Sequence, residues 1–238
     1  MNILLLGYGK MGRTVEQIAL DRGHQIVGRI DVNNRHELDQ LTNVDAVIEF
    51  STPDSVMSNL IYCLEHGWPV VCGTTGWLDN RPEVEKLCLE RKGAFFYASN
   101  YSIGVNLFFR LNKTLAQIMH QYPSYHVSMT EIHHTQKKDS PSGTAITLAE
   151  GIINQLAAKT RWQEQAEGVS DADDAVIIES LREGTVPGTH TIRYESDVDR
   201  IEISHVAHSR QGFALGAVIA AEWIVGREGV FGMDNLLA

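Results

Sequence analysis

A chain of 238 residues with 43% apolar and 21% charged side chains can bury a core, which argues against wholesale disorder and against a disulfide mini-domain. The formal net charge of −10 at pH 7 makes nucleic acid and anionic membrane poor partners, so an anionic ligand needs a local basic pocket. Three cysteines (Cys63, Cys72, Cys88) without a Cys-x-x-Cys spacing argue against a disulfide framework or a structural zinc site and for a reducing, cytoplasmic setting. The N-terminal run lacks the basic flank of a signal peptide. The most apolar later stretch, 213–225, has 13 residues, including Glu222, and is too short to span a bilayer.

Taken in order, residues 2–6 form a short apolar run that ends in Gly7, the pattern of a buried parallel strand. A helix is predicted over 11–22, a strand over 25–30 and another over 46–50. A helix over 55–66, a strand over 70–72, a helix over 83–91 and a strand over 94–98 follow. Strands alternating with helices imply parallel pairing with right-handed crossovers. Near Asn100 the rhythm changes. A long helix is predicted over 104–120, with Phe108, Leu111, Leu115 and Ile118 inward, then a strand over 125–134 and a helix over 142–159. Residues 161–174 are polar and acidic and read as a mobile loop. Strands over 176–182, 189–194 and 199–208 suggest an open, mostly antiparallel mixed sheet, and a helix over 212–226 closes the pattern. The fold class is therefore α/β: a Rossmann-like parallel-sheet unit, then an α+β unit.

Gly7-Tyr8-Gly9-Lys10-Met11-Gly12 reads G-x-G-x-x-G between the first strand and the first helix. Gly7 permits the tight turn, Gly9 lets backbone approach a pyrophosphate, and Gly12 lets helix close on strand. The helix N-terminus offers N–H groups and positive potential to the phosphates. Asp31 lies 19 positions after Gly12, where a carboxylate binds a ribose diol and repels a 2′-phosphate. Val32 cannot hold that phosphate, while Arg35 is able to. The competing reading is a glycine turn without a cofactor. Gly73-Thr74-Thr75-Gly76 and Ala98-Ser99-Asn100-Tyr101 follow two further strands, as nicotinamide-lining residues or as plain turns.

Residues 131–145, Glu-Ile-His-His-Thr-Gln-Lys-Lys-Asp-Ser-Pro-Ser-Gly-Thr-Ala, concentrate histidine and lysine in an acidic chain. Ser140 or Ser142 is placed to cap a helix, and the N–H groups of Gly143 and Thr144 suit a carboxylate. Histidine adds proton transfer near neutral pH. A solvated, well-capped turn is the alternative. No acidic or cysteine ligand stands at a recognised spacing from the histidine pair, so no metal is expected.

The segment Glu-x-His-His-x-x-Lys-x-Asp-x-Pro-Ser-Gly-Thr-Ala closely resembles the signature of the 4-hydroxy-tetrahydrodipicolinate (dihydrodipicolinate) reductase family. The likeness extends to GYGKMG, GTTG, ASNYSIGVN and the late DRIEISHVAHSRQGFALGAV. It implies reduction of 4-hydroxy-tetrahydrodipicolinate by NADH or NADPH in lysine and diaminopimelate biosynthesis. By the same resemblance His133 is the general acid, His134 contacts substrate, Lys137 neutralises one carboxylate, and Ser142, Gly143 and Thr144 hold the other. Gly73, Thr74, Thr75 and Ala98, Ser99, Asn100, Tyr101 fall on the nicotinamide side. The family also implies a homotetramer, and domains of 1–101 plus about 213–238 (dinucleotide) and 102–212 (substrate and oligomerisation). The chain departs from the family in the short 31–45 segment and in Val32, where some members carry an arginine, which tilts preference toward NADH. Domain closure is expected to exclude water, with Arg210 either a lock or a plain surface arginine. A dinucleotide-binding redox sensor, or another amino-acid-pathway dehydrogenase, are the other classes to separate.

Overall fold

Short, largely apolar strands alternating with amphipathic helices favour a parallel sheet with helices on both faces. Accordingly β1 (Asn2–Leu6), β2 (Gln25–Ile30), β3 (Ala46–Glu49), β4 (Val70–Cys72) and β5 (Ala94–Tyr97) pair in parallel. They alternate with α1 (Lys10–Asp21), α2 (Pro53–Glu65) and α3 (Arg81–Glu90). A single 3-10 turn, Arg35–Gln40, carries the β2-to-β3 crossover, the abbreviation that the short 31–45 segment implied. The computed structural model describes residues 1–166, 172–209 and 211–238. It divides into one unit of Met1–Ile103 with Gln211–Ala238, and another of Gly104–Arg210.

In the first unit, one face of the sheet packs Ile3, Leu5, Ile48 and Phe96 against Val15 of α1 and Ala217, Val218 and Ile224 of the later helix α6 (Gln211–Ile224). The opposite face packs Leu4, Leu6, Val70 and Phe95 against Val56, Leu60 and Val84 of α2 and α3. A strand absent from the sequence reading, Gly229–Phe231, pairs in parallel with β5 at the sheet edge. Three residues beginning with glycine give too little periodicity to be seen. The strand order, with that edge strand first, continues β5, β4, β3, β1, β2. All three thiols are free and buried, as suits a core without disulfides.

The second unit holds α4 (Ile103–Met119), β6 (His126–His133), α5 (Gly143–Ile153), β7 (Arg161–Glu164), β8 (Ala175–Arg182), β9 (Thr189–Glu195) and β10 (Arg200–Val206). The earlier edge strand is thus β11, and a final short helix α7 spans Met233–Leu236. The sheet order is β10-β9-β6-β8-β7. Pairs β10/β9 and β9/β6 are antiparallel and pairs β6/β8 and β8/β7 parallel, so the sheet is evenly mixed rather than mostly antiparallel. Helix α5 returns the chain between β6 and β7, so that β7 enters the sheet in the same direction as β6, with β8 parallel to both between them.

Three expectations are corrected here. Helix α4 buries Val105, Phe108, Asn112, Ala116 and Met119, while Leu111 and Ile118 are 50% and 53% exposed. Phe108 and Leu115 pack on the core as expected, so the correction concerns Leu111 and Ile118, whose places on the inner face Asn112, Ala116 and Met119 take. Helix α5 stops at Ile153, not at residue 159, because Asn154 caps it, and Leu156 folds back onto the same core. The supposed loop at 161–174 opens with strand β7, whose polar Arg-Trp-Gln-Glu run suits a sheet edge. Residues 167–171 of that segment, and Arg210, lie outside the described residues. Among the described residues no helix is long and apolar enough to cross a membrane.

Phe108→Ala should cost about 3–5 kcal/mol, the usual penalty for emptying a buried aromatic site. Leu111→Ala should stay within about 0.5 kcal/mol, as at an exposed position. Urea unfolding of the two variants separates the core-facing position from the exposed one.

Candidate active site

The glycine loop sits at the carboxyl end of β1. Gly7 takes φ +91°, and a Cβ there would lie 2.0 Å from the Phe50 carbonyl oxygen, so only glycine fits between β1 and β3. A Cβ on Gly12 would strike the Gly7 carbonyl oxygen at 2.3 Å. At Gly9, the N-cap of α1, a Cβ would meet nothing within 4 Å. Gly9 makes no side-chain cap, so the first turn of α1 presents its N–H groups beside an open face. Such a cradle fits a pyrophosphate. Lys10 and Met11 open α1, with Lys10 exposed and Met11 half-buried, and Tyr8 is half-buried with its hydroxyl on Glu16.

A cleft of about 440 Å³ runs from Gly7 and Gly9 past Asp31, Val32 and Arg35 to Ser55. Asp31 follows β2 directly, and its Oδ1 accepts the Asn33 N–H at 2.8 Å. Val32 is 77% exposed and contributes no charge. Arg35 lines the same cleft but is held by the Asn59 side chain and by the Ser58 carbonyl at 3.2 Å. Asn59 in turn reaches the buried carboxylate of Glu49 at 3.2 Å.

The ends of β4 and β5 meet the cleft's edge of the sheet differently. Gly73 has no room for a side chain, since a Cβ would lie 2.1 Å from the Phe50 ring. Thr74 is buried, with Oγ1 accepting the Ser51 N–H at 2.8 Å, whereas Thr75 is exposed. Ala98 is buried, Ser99 exposed, and Asn100 accepts the Ser102 N–H at 2.9 Å. Tyr101 is not a lining side chain: it is 2% exposed and its hydroxyl donates to the Cys72 carbonyl at 2.6 Å, tying the strand ends together.

In the second unit, β6 alternates strictly. Val127, Met129, Glu131 and His133 share the buried face, so the hydrophobic stripe of the strand ends in an acid and an imidazole. Register places Glu131 opposite His190 of β9 and His133 opposite Arg182 of β8. Glu131 is 1% exposed. Its Oε1 accepts the Ser142 backbone N–H at 3.0 Å and faces both terminal nitrogens of Arg182 at 3.3 Å. Its Oε2 lies 3.1 Å from His133 Nδ1. Burial pushes the Glu131 carboxyl up, but hydrogen bonds from His133 and Ser142 outweigh it and bring the pKa to about 2.

Ser142 is the N-cap of α5, its Oγ accepting the Ala145 N–H at 3.1 Å. That hydroxyl also lies 3.1 Å from His190 Nε2. Gly143 is exposed and Thr144 half-buried, and their N–H groups have no protein acceptor among the described residues. Lys137 Nζ donates to Asp139 at 2.7 and 2.8 Å, showing that the ammonium is posed for a carboxylate. Arg182 donates to the Asp139 carbonyl at 2.8 Å, so this loop is moored to the same acid–base cluster. His134 is half-buried at the end of β6. Burial, with the neighbouring His133 charge, holds His190 down to about 4, a neutral imidazole at working pH.

Sequence reasoning missed Glu131, Arg182 and His190 as functional groups. The signal was present: an acid and histidines standing at positions where strand alternation demands apolar residues. Glu131, His133 and His190 bring donor atoms within 4.8 Å of one another, a spacing a cation can exploit. The Arg182 guanidinium already compensates that carboxylate.

A glycine loop on a parallel sheet, joined in one chain to an imidazole beside a capped helix start, is the layout of a dinucleotide-dependent oxidoreductase. The domain family described as Dihydrodipicolinate reductase, N-terminus matches residues 1–101, and that described as Dihydrodipicolinate reductase, C-terminus matches residues 104–237. A curated 4-hydroxy-tetrahydrodipicolinate reductase of Christiangramia forsetii is 49% identical over 100% of this chain and 98% of its own. Its counterpart in Methanosarcina mazei is 35% identical over 87% of this chain and 78% of its own. The solved dipicolinate-bound dihydrodipicolinate reductase of Paenisporosarcina sp. TG-14 has a TM-score of 0.76 at 22% identity, covering 99% of both chains, a likeness of fold. The chain belongs to the dihydrodipicolinate reductase family, and is thereby an NAD(P)H-dependent oxidoreductase of lysine and diaminopimelate biosynthesis.

His190 also predicts a pH dependence of stability. Below its ordinary 6.5 the unfolded chain takes up a proton that the folded chain refuses until about 4. Stability should therefore fall as pH drops through that window, by about 3 kcal/mol in all. Urea midpoints at pH 7.5 and 4.5 should differ for the native sequence and draw together in His190→Asn.

Proposed function

We propose that the chain reduces 4-hydroxy-tetrahydrodipicolinate to tetrahydrodipicolinate, with loss of water, and that its second unit holds and protonates the ring. The observation that carries this reading is the convergence of His133, Lys137 and the α5 N-terminus in a chain of this family. When bound, the reduced nicotinamide supplies the hydride. Gly7, Gly9 and Gly12, with the flanking Tyr8, Lys10 and Met11, hold its pyrophosphate, and Asp31 meets the adenosine ribose. Gly73, Thr74, Thr75 and the Ala98–Asn100 turn shape the nicotinamide side, with Tyr101 as their buried support. Asp31 followed by Val32 favours NADH, while Arg35 in the same cleft is the group that accommodates NADPH.

On the substrate side, the N–H groups of Gly143 and Thr144, with Ser142, receive one carboxylate. Lys137 receives the other, exchanging Asp139 for it, and His134 contacts the ring. Loss of water leaves a conjugated cyclic imine, hydride addition converts it to an enamine, and His133 Nε2 gives the enamine carbon its proton. Gly188 makes room for this: a Cβ there would sit 3.0 Å from His133 Nε2, so a side chain would crowd the reacting nitrogen. The chain acts in the cytoplasm as a homotetramer, an assembly supported by Ile201 and Val206, which edge strand β10 leaves exposed.

Cofactor oxidation is measured with the cyclic substrate generated enzymatically from pyruvate and aspartate semialdehyde. Turnover with NADH or NADPH is expected, and absence of both contradicts the assignment. His133→Ala should lower kcat by about 10² to 10⁴ with cofactor affinity retained. Lys137→Ala should impair both kcat and KM for the imine, as loss of a partner in ground and transition states requires.

A further inference from the structure

We propose that Glu131 is the positioning residue of the site. Its carboxylate fixes His133 with the proton on Nδ1 and Nε2 turned to the reaction, and it clamps the anion-binding start of α5 to that imidazole. This inference rests on the reading of His133 as the proton donor and adds the group that sets its state.

The geometry is specific. Glu131 Oε2 and His133 Nδ1 are both buried, neither is matched to an aligned hydrogen-bond partner elsewhere in the described residues, and the two atoms face each other at 3.1 Å, an ion-pair separation. The other ring nitrogen, Nε2, lies against the bare face of Gly188. One edge of the imidazole thus faces a carboxylate, and the other abuts a residue that has no side chain. A neutral imidazole has one N–H, and the acceptor on the committed edge decides which nitrogen carries it. Once Nε2 has given its proton away, Nδ1–H facing Glu131 is the state left behind, and the carboxylate stabilises the imidazolium that precedes it.

Glu131 is also the joint between this imidazole and the carboxylate site. Its Oε1 takes the Ser142 N–H, the residue that caps α5, and faces Arg182, which holds the Asp139 carbonyl in the Lys137 loop. His190 closes the ring of contacts, with its Nε2 on the Ser142 hydroxyl and its ring 5.1 Å from that of His133. One carboxylate therefore sets the distance between the proton donor and the helix N–H groups that hold substrate.

Nitrogen-15 spectra of the full-length, histidine-labelled protein at pH 8, without ligand, read the tautomer directly, the His133 signals being identified by their loss in His133→Asn. The proton is expected on Nδ1, and a proton on Nε2 overturns the proposal. In Glu131→Gln the amide oxygen stays with Ser142 and Arg182, which turns the NH2 toward Nδ1 and moves the imidazole proton to Nε2. That variant should lose about 10- to 10³-fold in kcat while its KM for NADH stays unchanged. An unchanged tautomer and kcat in Glu131→Gln overturns the proposal as well. If the variant does not fold, the spectrum of the native sequence still decides. The tautomer is read without substrate, so a native enzyme inactive on the cyclic imine would count against the proposed function, whereas an active enzyme with Nε2–H would count against Glu131 alone.

Discussion

A carboxylate shut away from water has to be compensated on every side, and in the second unit that requirement falls on Glu131. Removing such an ion from solvent costs several kcal/mol, recovered only when charges and donors meet it at good distances. Here they come from β8, from β9, from the first turn of α5 and from the neighbouring imidazole two residues along β6. Satisfying one buried charge thus draws four elements of the unit to a common point. The start of α5 and the loop carrying Lys137 are both tied to that meeting, through the Ser142 N–H and through Arg182.

The first unit meets a different constraint with glycine rather than charge. Backbone from β1, β3 and α1 approaches so closely that a single Cβ at Gly7 or Gly12 cannot be placed, while Gly9 is left open. The loop therefore offers backbone N–H groups and empty space, with Lys10 and Arg35 as the nearby cations, so that positive potential is local in an acidic chain. The second unit solves the same electrostatic problem by concentrating Lys137, Arg182 and a helix start in one place. A net charge of −10 and an anionic substrate are compatible because the favourable potential is local.

The parallel unit was legible because its central strands are mostly apolar and its glycine loop stands between a strand and a helix. The capped start of α5 was legible for similar reasons, since Ser142 and Gly143 follow the chemistry of helix ends. On helix α4 only Leu111 and Ile118 misled, because they continue the apolar spacing of Phe108 and Leu115 while the buried face runs on through Asn112, Ala116 and Met119. Strand β7 was hidden because an edge strand needs no apolar pattern. The acid–base cluster lay beyond reach for a topological reason: Glu131, Arg182 and His190 are distant in sequence, and the order β9-β6-β8 that joins them cannot be read from any one segment. What the chain did display was a polar residue on the buried side of each strand, a local inconsistency of the kind that marks functional sites.

On the proposed function, the α5 start and Lys137 form the substrate's carboxylate site beside His133. Titrating the NADH-saturated protein with pyridine-2,6-dicarboxylate, a planar ring carrying two carboxylates, while following backbone amide shifts, tests it most directly. The account predicts the largest downfield movements at the Gly143 and Thr144 amides, with saturation and competition against the cyclic imine. Saturable binding that leaves those two amides unmoved would contradict it.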